Sequence, residues 1–245
     1  MLFGLWLLGC SPFLVQRAEQ MMQGRITALK RQQRKRDRVS VYLDGEFAFG
    51  LQEIIAARLS VGQDLDAQQV GELLRREAGE RAYERCLHYL SFRPRSTREV
   101  RDYMRGKDVD EDIREQVIER LTRTRLLDDR AFCAYWIDNR RAHRPKGRWA
   151  LRSELAHKGI DREIIAEMLD DLDEEADALR AAERQAVKLA RYDDDTFRRR
   201  LLGFLQRRGF GYGVARRTVE HYEKVRASEQ SDVGPDIAGY GPDHE

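Results

Sequence analysis

The chain has 245 residues, enough for one large domain or two small ones, with 41% apolar residues, 36% charged residues and a formal net charge of +2. Its 18 Gly and 5 Pro exclude a collagen-like or low-complexity protein, and many charges on few turn formers indicate helices with long polar faces. The three cysteines, Cys10, Cys86 and Cys133, are widely spaced and form neither a disulfide framework nor a Cys-x-x-Cys knuckle, which points to a reducing compartment.

Residues 1–14 are strongly apolar, and Leu7-Leu8-Gly9-Cys10 resembles a lipoprotein cleavage box. Export needs a basic region ahead of the apolar run, yet the first basic residue is Arg17, and the run is too short to span a bilayer. Residues 1–24 are therefore expected to be a leader outside the fold, an over-extended start with Met21 or Met22 as the real one. Residues 25–80 form a small β-rich head. Ile26 to Lys30 alternates, and Val39 to Leu43 and Phe47 to Gly50 flank Asp44-Gly45, a strong hairpin signal. The basic cluster Arg34-Lys35-Arg36-Asp37-Arg38 is either a phosphate contact or a solvated hairpin tip. Residues 51–59 and 66–78 read as helices, the second opened by the capping pair Asp66 and Gln69.

The remainder repeats. Met104, Leu155 and Leu205 lie 51 and 50 residues apart. Val100, Leu151 and Leu201 align with one another, as do Val109, Ile160 and Phe210, then Ile113, Ile164 and Val214, at helical spacing. Three units of three helices follow, at 81–129, 130–176 and 177–226. In the first, residues 82–92 carry Tyr83, Leu87 and Leu90 on a buried stripe, and Ser96 with Glu99 caps the second helix. Asp110 and its counterpart Asp161 are expected to cap the third helices, and Asp128 the start of the next unit. Gly159 and Gly209 suit a left-handed position after a helix, which Asp108 occupies in the first unit. Such units bury little alone, so an elongated, mainly α array of three tandem repeats is expected behind the hairpin head. Residues 227–245 hold five acids and no Lys or Arg, the composition of a disordered acidic tail.

No catalytic constellation is visible. The five histidines show no metal-ligand spacing, Cys86 and Cys133 sit among apolar neighbours, and Gly209-Phe210-Gly211-Tyr212-Gly213 follows a helix rather than a strand. The acids of residues 170–175 read as a solvated helix end. No enzyme activity, metal or cofactor is expected. Charge placement is more informative. Residues 140–152 hold Arg140, Arg141, Arg144, Lys146, Arg148 and Arg152 with no acid, and Trp149 lies among them. A second basic zone contains Arg198, Arg199, Arg200, Arg207 and Arg208, with Arg216 and Arg217 beyond, whereas residues 161–177 hold nine acids and one Arg. The basic residues are candidates for tracking a nucleic-acid backbone or an acidic protein groove; solvated helix faces are the plainer reading. Trp149 either stacks on a base or anchors the core.

Several segments in order resemble the RecX family: Tyr89-Leu90-Ser91-Phe92-Arg93-Pro94-Arg95-Ser96, Arg125-Leu126-Leu127-Asp128-Asp129-Arg130-Ala131-Phe132, Lys158-Gly159-Ile160-Asp161, and residues 202–210. The similarity covers roughly residues 81–222. It implies three tandem three-helix repeats and a non-enzymatic regulator, a cytoplasmic monomer without membrane contact. Its implied partners are the RecA recombinase and the groove of the RecA–DNA filament, where it would suppress recombinase and coprotease activity in homologous recombination and repair. The alternative from the residues alone is a general single- or double-stranded nucleic-acid binder with no recombinase partner.

Overall fold

The computed structural model describes residues 23–33 and 37–231. The apolar leader, residues 34–36 of the basic loop and the acidic stretch beyond residue 231 lie outside the described residues. The chain divides into two compact units, one running through Arg93 and taking in Val100–Leu127, the other made of Pro94–Glu99 and everything from Asp128 onward.

The first unit opens with four antiparallel strands, β1 (Gly24–Arg31), β2 (Arg38–Leu43), β3 (Glu46–Gln52) and the short β4 (Asp64–Leu65), in the order β3-β2-β1-β4. Leu43 pairs with Glu46, so Asp44-Gly45 is a two-residue hairpin loop. Both of its residues have positive φ, 49° and 90°, as the right-handed twist of a hairpin favours. Alternation on β2 buries Val39, Val41 and Leu43 against Ile26, Phe49 and Leu51. Leu51 and Gln52, expected in a helix over 51–59, instead complete β3. Leu51 pairs with Val39 and is fully buried, and only the single turn α1 (Glu53–Ala56) remains helical. Sheet pairing has overridden local helix preference here.

Two expected helices are also one. α2 (Ala67–Ser91) runs without a break through Gly79, and its start carries the reciprocal Asp66–Gln69 capping box. A mid-helix Gly costs about 1 kcal/mol, and contacts on both sides offset it. The buried Glu77 accepts the Gln52 N–H at 2.7 Å and pairs with Arg38 at 2.7 Å, while Glu80 pairs with Arg120, whose guanidinium lies on the Tyr83 ring. Val70 and Leu73 belong to the head's core, and Ala82 and Cys86 to the next one. That second core is closed by α3 (Thr97–Arg105) and α4 (Glu111–Arg123) through Val100, Met104, Ile113, Val117 and Leu121. Leu87, expected on the buried stripe, is 37% exposed, because the small Ala82 and Cys86 take the inward face.

The second unit contains α5 (Asp129–His143), α6 (Arg148–His157) and α7 (Arg162–Asp170), then α8 (Glu174–Leu189), α9 (Asp194–Arg207) and α10 (Tyr212–Ser231). Phe132, Leu151, Leu155, Ile165 and Leu169 form the core of the first trio; Phe197, Leu201, Leu205, Phe210 and Val219 form that of the second. The repeat anticipated from the sequence is therefore present as three three-helix units behind a small strand-bearing head. Gly159 and Gly209 are left-handed, at φ +80° and +85°, and Asp108 takes the same place at +53°. Asp128 caps α5 through the N–H groups of Arg130 and Ala131. Asp110 and Asp161 stand at N-cap positions but accept no capping hydrogen bond, so their carboxylates act only through the helix dipole. Among the described residues no helix is long and apolar enough to cross a membrane.

Successive repeats meet through one bonding pattern, used twice in the second unit. Ser96 Oγ donates to the Lys158 carbonyl at 2.7 Å, and the Thr97 N–H donates to Asp129 at 2.8 Å. One repeat later the Gly147 N–H donates to the Arg208 carbonyl at 3.0 Å, and the Arg148 N–H to Glu174 at 2.9 Å. At each junction a donor just before a middle helix, the Ser96 hydroxyl or the Gly147 N–H, thus reaches a carbonyl in the next trio of helices, and the helix's first N–H reaches a carboxylate in the first turn of that trio. This satisfies N–H groups that a helix start leaves open. Lys158 adds an ion pair to Glu99, and Arg208 donates to the Pro145 carbonyl.

Cys86 and Cys133 are fully buried. Burial pushes both thiols up to about 11, with Asp129 adding to the effect at Cys133. Brief alkylation at pH 7.5 should leave both unmodified in the folded protein and modify both in denaturant. Labelling of either thiol without unfolding would contradict a purely structural role.

Candidate functional site

Most of the basic residues singled out in the sequence are engaged within the fold. Glu154, two residues past the acid-free window, is the centre of one cluster: it accepts from Trp136 Nε1 at 2.9 Å and Arg140 Nε at 2.8 Å, and it pairs with Lys146. Arg140 also lies over the Trp136 ring, 4.4 Å from its centroid. Burial pushes the Glu154 carboxyl up, but the hydrogen bonds from Arg140, Lys146 and Trp136 outweigh it and hold the group below its ordinary value.

Arg141 pairs at 3.1 Å with Asp177, a carboxylate with no exposed surface that Arg180 also contacts. Arg148 reaches Glu174 at 4.0 Å and the carbonyls of Asp170 and Leu172 at 3.4 Å each. Arg217 pairs with Glu175, and Asp173 caps α8 through the Ala176 N–H. Asp170, Asp171, Asp173 and Glu175 are exposed where α7 meets α8, as a solvated helix end requires, while Glu174 and Asp177 face the basic block. No cluster of potential metal ligands is present among the described residues.

In the second basic zone, Arg198 pairs with Glu223 at 2.7 Å, and Arg200 lies 4.1 Å from the centroid of Tyr192. Hydrogen bonds from Arg191 and Arg200 lower the Tyr192 phenol. Arg208 is drawn against Phe204 and the Pro145 carbonyl, and burial together with the nearby Arg144 charge lowers it. Arg144, Arg152, Arg199 and Arg207 are exposed and hold no ion pair among the described residues. Of the eleven expected site residues, these four hold neither an ion pair nor a ring contact among the described residues; the other seven hold one or both, although Arg198 and Arg200 remain exposed.

Trp149 is not a core anchor. It is 80% exposed in the first turn of α6, its backbone N–H held by the Gly209 carbonyl at 3.2 Å. One groove, about 440 Å³, opens beside it along Ala150, Gln206 and Gly209 to Gly211. A second, about 570 Å³, opens along Arg152, Ala156, Arg162 and Ala166. Sequence reasoning missed Arg162, which lies at the start of the acidic block and has no signal of its own. It also missed Glu154 as an organising group.

Family models match most of the chain: the N-terminal domain of regulatory protein RecX over residues 24–66, and the first, second and third RecX three-helix domains over 82–121, 128–169 and 173–219. The regulatory protein RecX of Halalkalibacterium halodurans is 39% identical over 146 residues, 57% of this chain and 55% of that protein, so the alignment spans about half of that relative. The regulatory protein RecX of Amycolatopsis mediterranei is 34% identical over 163 residues, 65% of this chain and 93% of that protein. A crystal structure of a regulatory protein RecX superposes with a TM-score of 0.66 at 26% identity, covering 79% of this chain and 97% of that one.

Proposed function

Because the chain belongs to the RecX family of regulatory proteins, we propose that it binds the RecA recombinase on DNA in the cytoplasm and restrains recombinase and coprotease activity. The observation that carries this reading is the set of four cations, Arg144, Arg152, Arg199 and Arg207, that are exposed and hold no ion pair among the described residues. Exposed guanidinium groups without partners lose little on meeting an anionic surface and gain released counterions from it. The mode of action is steric and electrostatic, with no covalent step. The repeats contact neighbouring recombinase protomers or the DNA between them, and several weak contacts on one chain combine into avidity.

RecA-dependent ATP hydrolysis on single-stranded DNA tests the proposal. Substoichiometric protein should inhibit hydrolysis, and absence of inhibition at any ratio would overturn the assignment. Replacing the four free arginines by Ala should weaken filament binding and, if each contacts a phosphate, lower the salt slope by about 3. Arg140→Ala and Lys146→Ala should instead lower stability and leave the slope unchanged. A nucleic-acid binder acting without a recombinase is the second reading, favoured by the exposed Trp149. Equal affinity for naked and RecA-coated DNA at physiological salt would select it.

A further inference from the structure

We infer that Trp149, with Arg152 and Arg162, forms a stacking site for unpaired bases of a single-stranded nucleic acid. The inference goes beyond recombinase regulation and does not depend on the recombinase.

The contrast with Trp136 shows what is unusual about this indole. Trp136 donates its N–H to Glu154 and lies beneath Arg140, so its polar edge and one face are occupied. Trp149 has neither kind of contact, although its backbone is fixed by the Gly209 carbonyl. Ala150, Ser153 and two glycines, Gly209 and Gly211, line one groove beside Gln206 and Phe210, and none of the lining side chains covers the ring, which is 80% exposed. An uncovered indole on a backbone held in place, between two grooves, can take a flat ring in either.

Charge decides between occupants. No carboxylate lines either groove. The second is lined by Arg152 and Arg162, neither of which holds an ion pair among the described residues. Arg152 lies three residues beyond Trp149 on α6, one turn along the same side of the helix, and Arg162 opens α7. An aromatic platform flanked by cations and free of acids suits bases carried on a phosphate chain. In a duplex the base faces are covered by their neighbours, so the site selects single strands.

Fluorescence anisotropy of labelled oligothymidylate, an abasic oligomer of equal length and a duplex, all without recombinase, provides the test. Trp149→Ala should weaken oligothymidylate binding about tenfold and leave the abasic oligomer and the duplex unchanged, and Trp149→Phe should retain most of the affinity. Arg152→Ala with Arg162→Ala should weaken all three ligands and flatten their salt dependence. Since the indole is exposed, thermal melts of the Trp149 variants should match the parent. Wild-type failure to bind oligothymidylate, unchanged affinity in Trp149→Ala, or an equal loss on the abasic oligomer would overturn the inference. So would a loss confined to a recombinase filament, which would make the indole a protein anchor. Failure of the recombinase proposal alone leaves these oligonucleotide results untouched.

Discussion

Gly147→Ala is expected to destabilise the second unit by about 3 kcal/mol or more, the range of severe backbone and overpacking substitutions. A Cβ at residue 147 would fall 2.2 Å from the Gly209 carbonyl oxygen and 2.3 Å from the Phe210 nitrogen. Both are backbone atoms, so no side chain can swing away, and the Gly147 to Arg208 hydrogen bond would be lost with the approach. Gly209→Ala meets two obstacles: a left-handed φ of +85° and the Ala150 Cβ at 2.4 Å. Gly211→Ala is the control, since nothing lies within 4 Å of its added methyl. Denaturant unfolding should rank Gly147→Ala and Gly209→Ala far below the parent, with Gly211→Ala close to it. Similar midpoints for all three would mean that the junction does not hold the repeats together.

The second large effect is expected at Glu154, where replacement by Ala should cost about 2–3 kcal/mol at neutral pH. Three donors lose their acceptor at once, and Arg140 and Lys146 are left largely shielded without a counter-charge. The effect carries a pH signature. The carboxyl is held below its ordinary 4.5 in the fold, so the unfolded chain binds its proton first as pH falls. Its contribution is fully present above about pH 5 and is lost as pH drops through 4.5 toward the folded value. The stability difference between parent and Glu154→Ala should therefore shrink on acidification. A difference that stays constant from pH 7 to pH 3.5 would show that packing, not charge, makes the residue matter.

The repeat was legible because a helix must return an apolar residue to the same face, and Met104, Leu155 and Leu205 are all buried at that spacing. Gly159 and Gly209 were legible because positive φ discourages other residues. What escaped the sequence was decided by neighbours distant along the chain. Leu51 became strand because Val39 was there to pair with it, and α2 continued through Gly79 because Glu77 and Glu80 each found an arginine elsewhere. The basic window looked uncompensated because Glu154 lies just past its end and Asp177 is 36 residues from Arg141. Charge counted along a chain says little about charge left over in space.

The junction bonds also bear on how many repeats can be joined in this way. Ser96 and Gly147 are preceded by Arg93-Pro94 and Arg144-Pro145, and each stands just before a helix whose first donor points to the next repeat. At the corresponding place in the third repeat the chain reads Asp194-Asp195-Thr196-Phe197. There α9 starts earlier, under its own Asp193 cap, so Arg198, the counterpart of Thr97 and Arg148, already lies inside the helix. A further copy of the unit would find no outward donor to accept. The lengthened helix ends the series, so the number of repeats stitched by this bond is set locally by one extra turn.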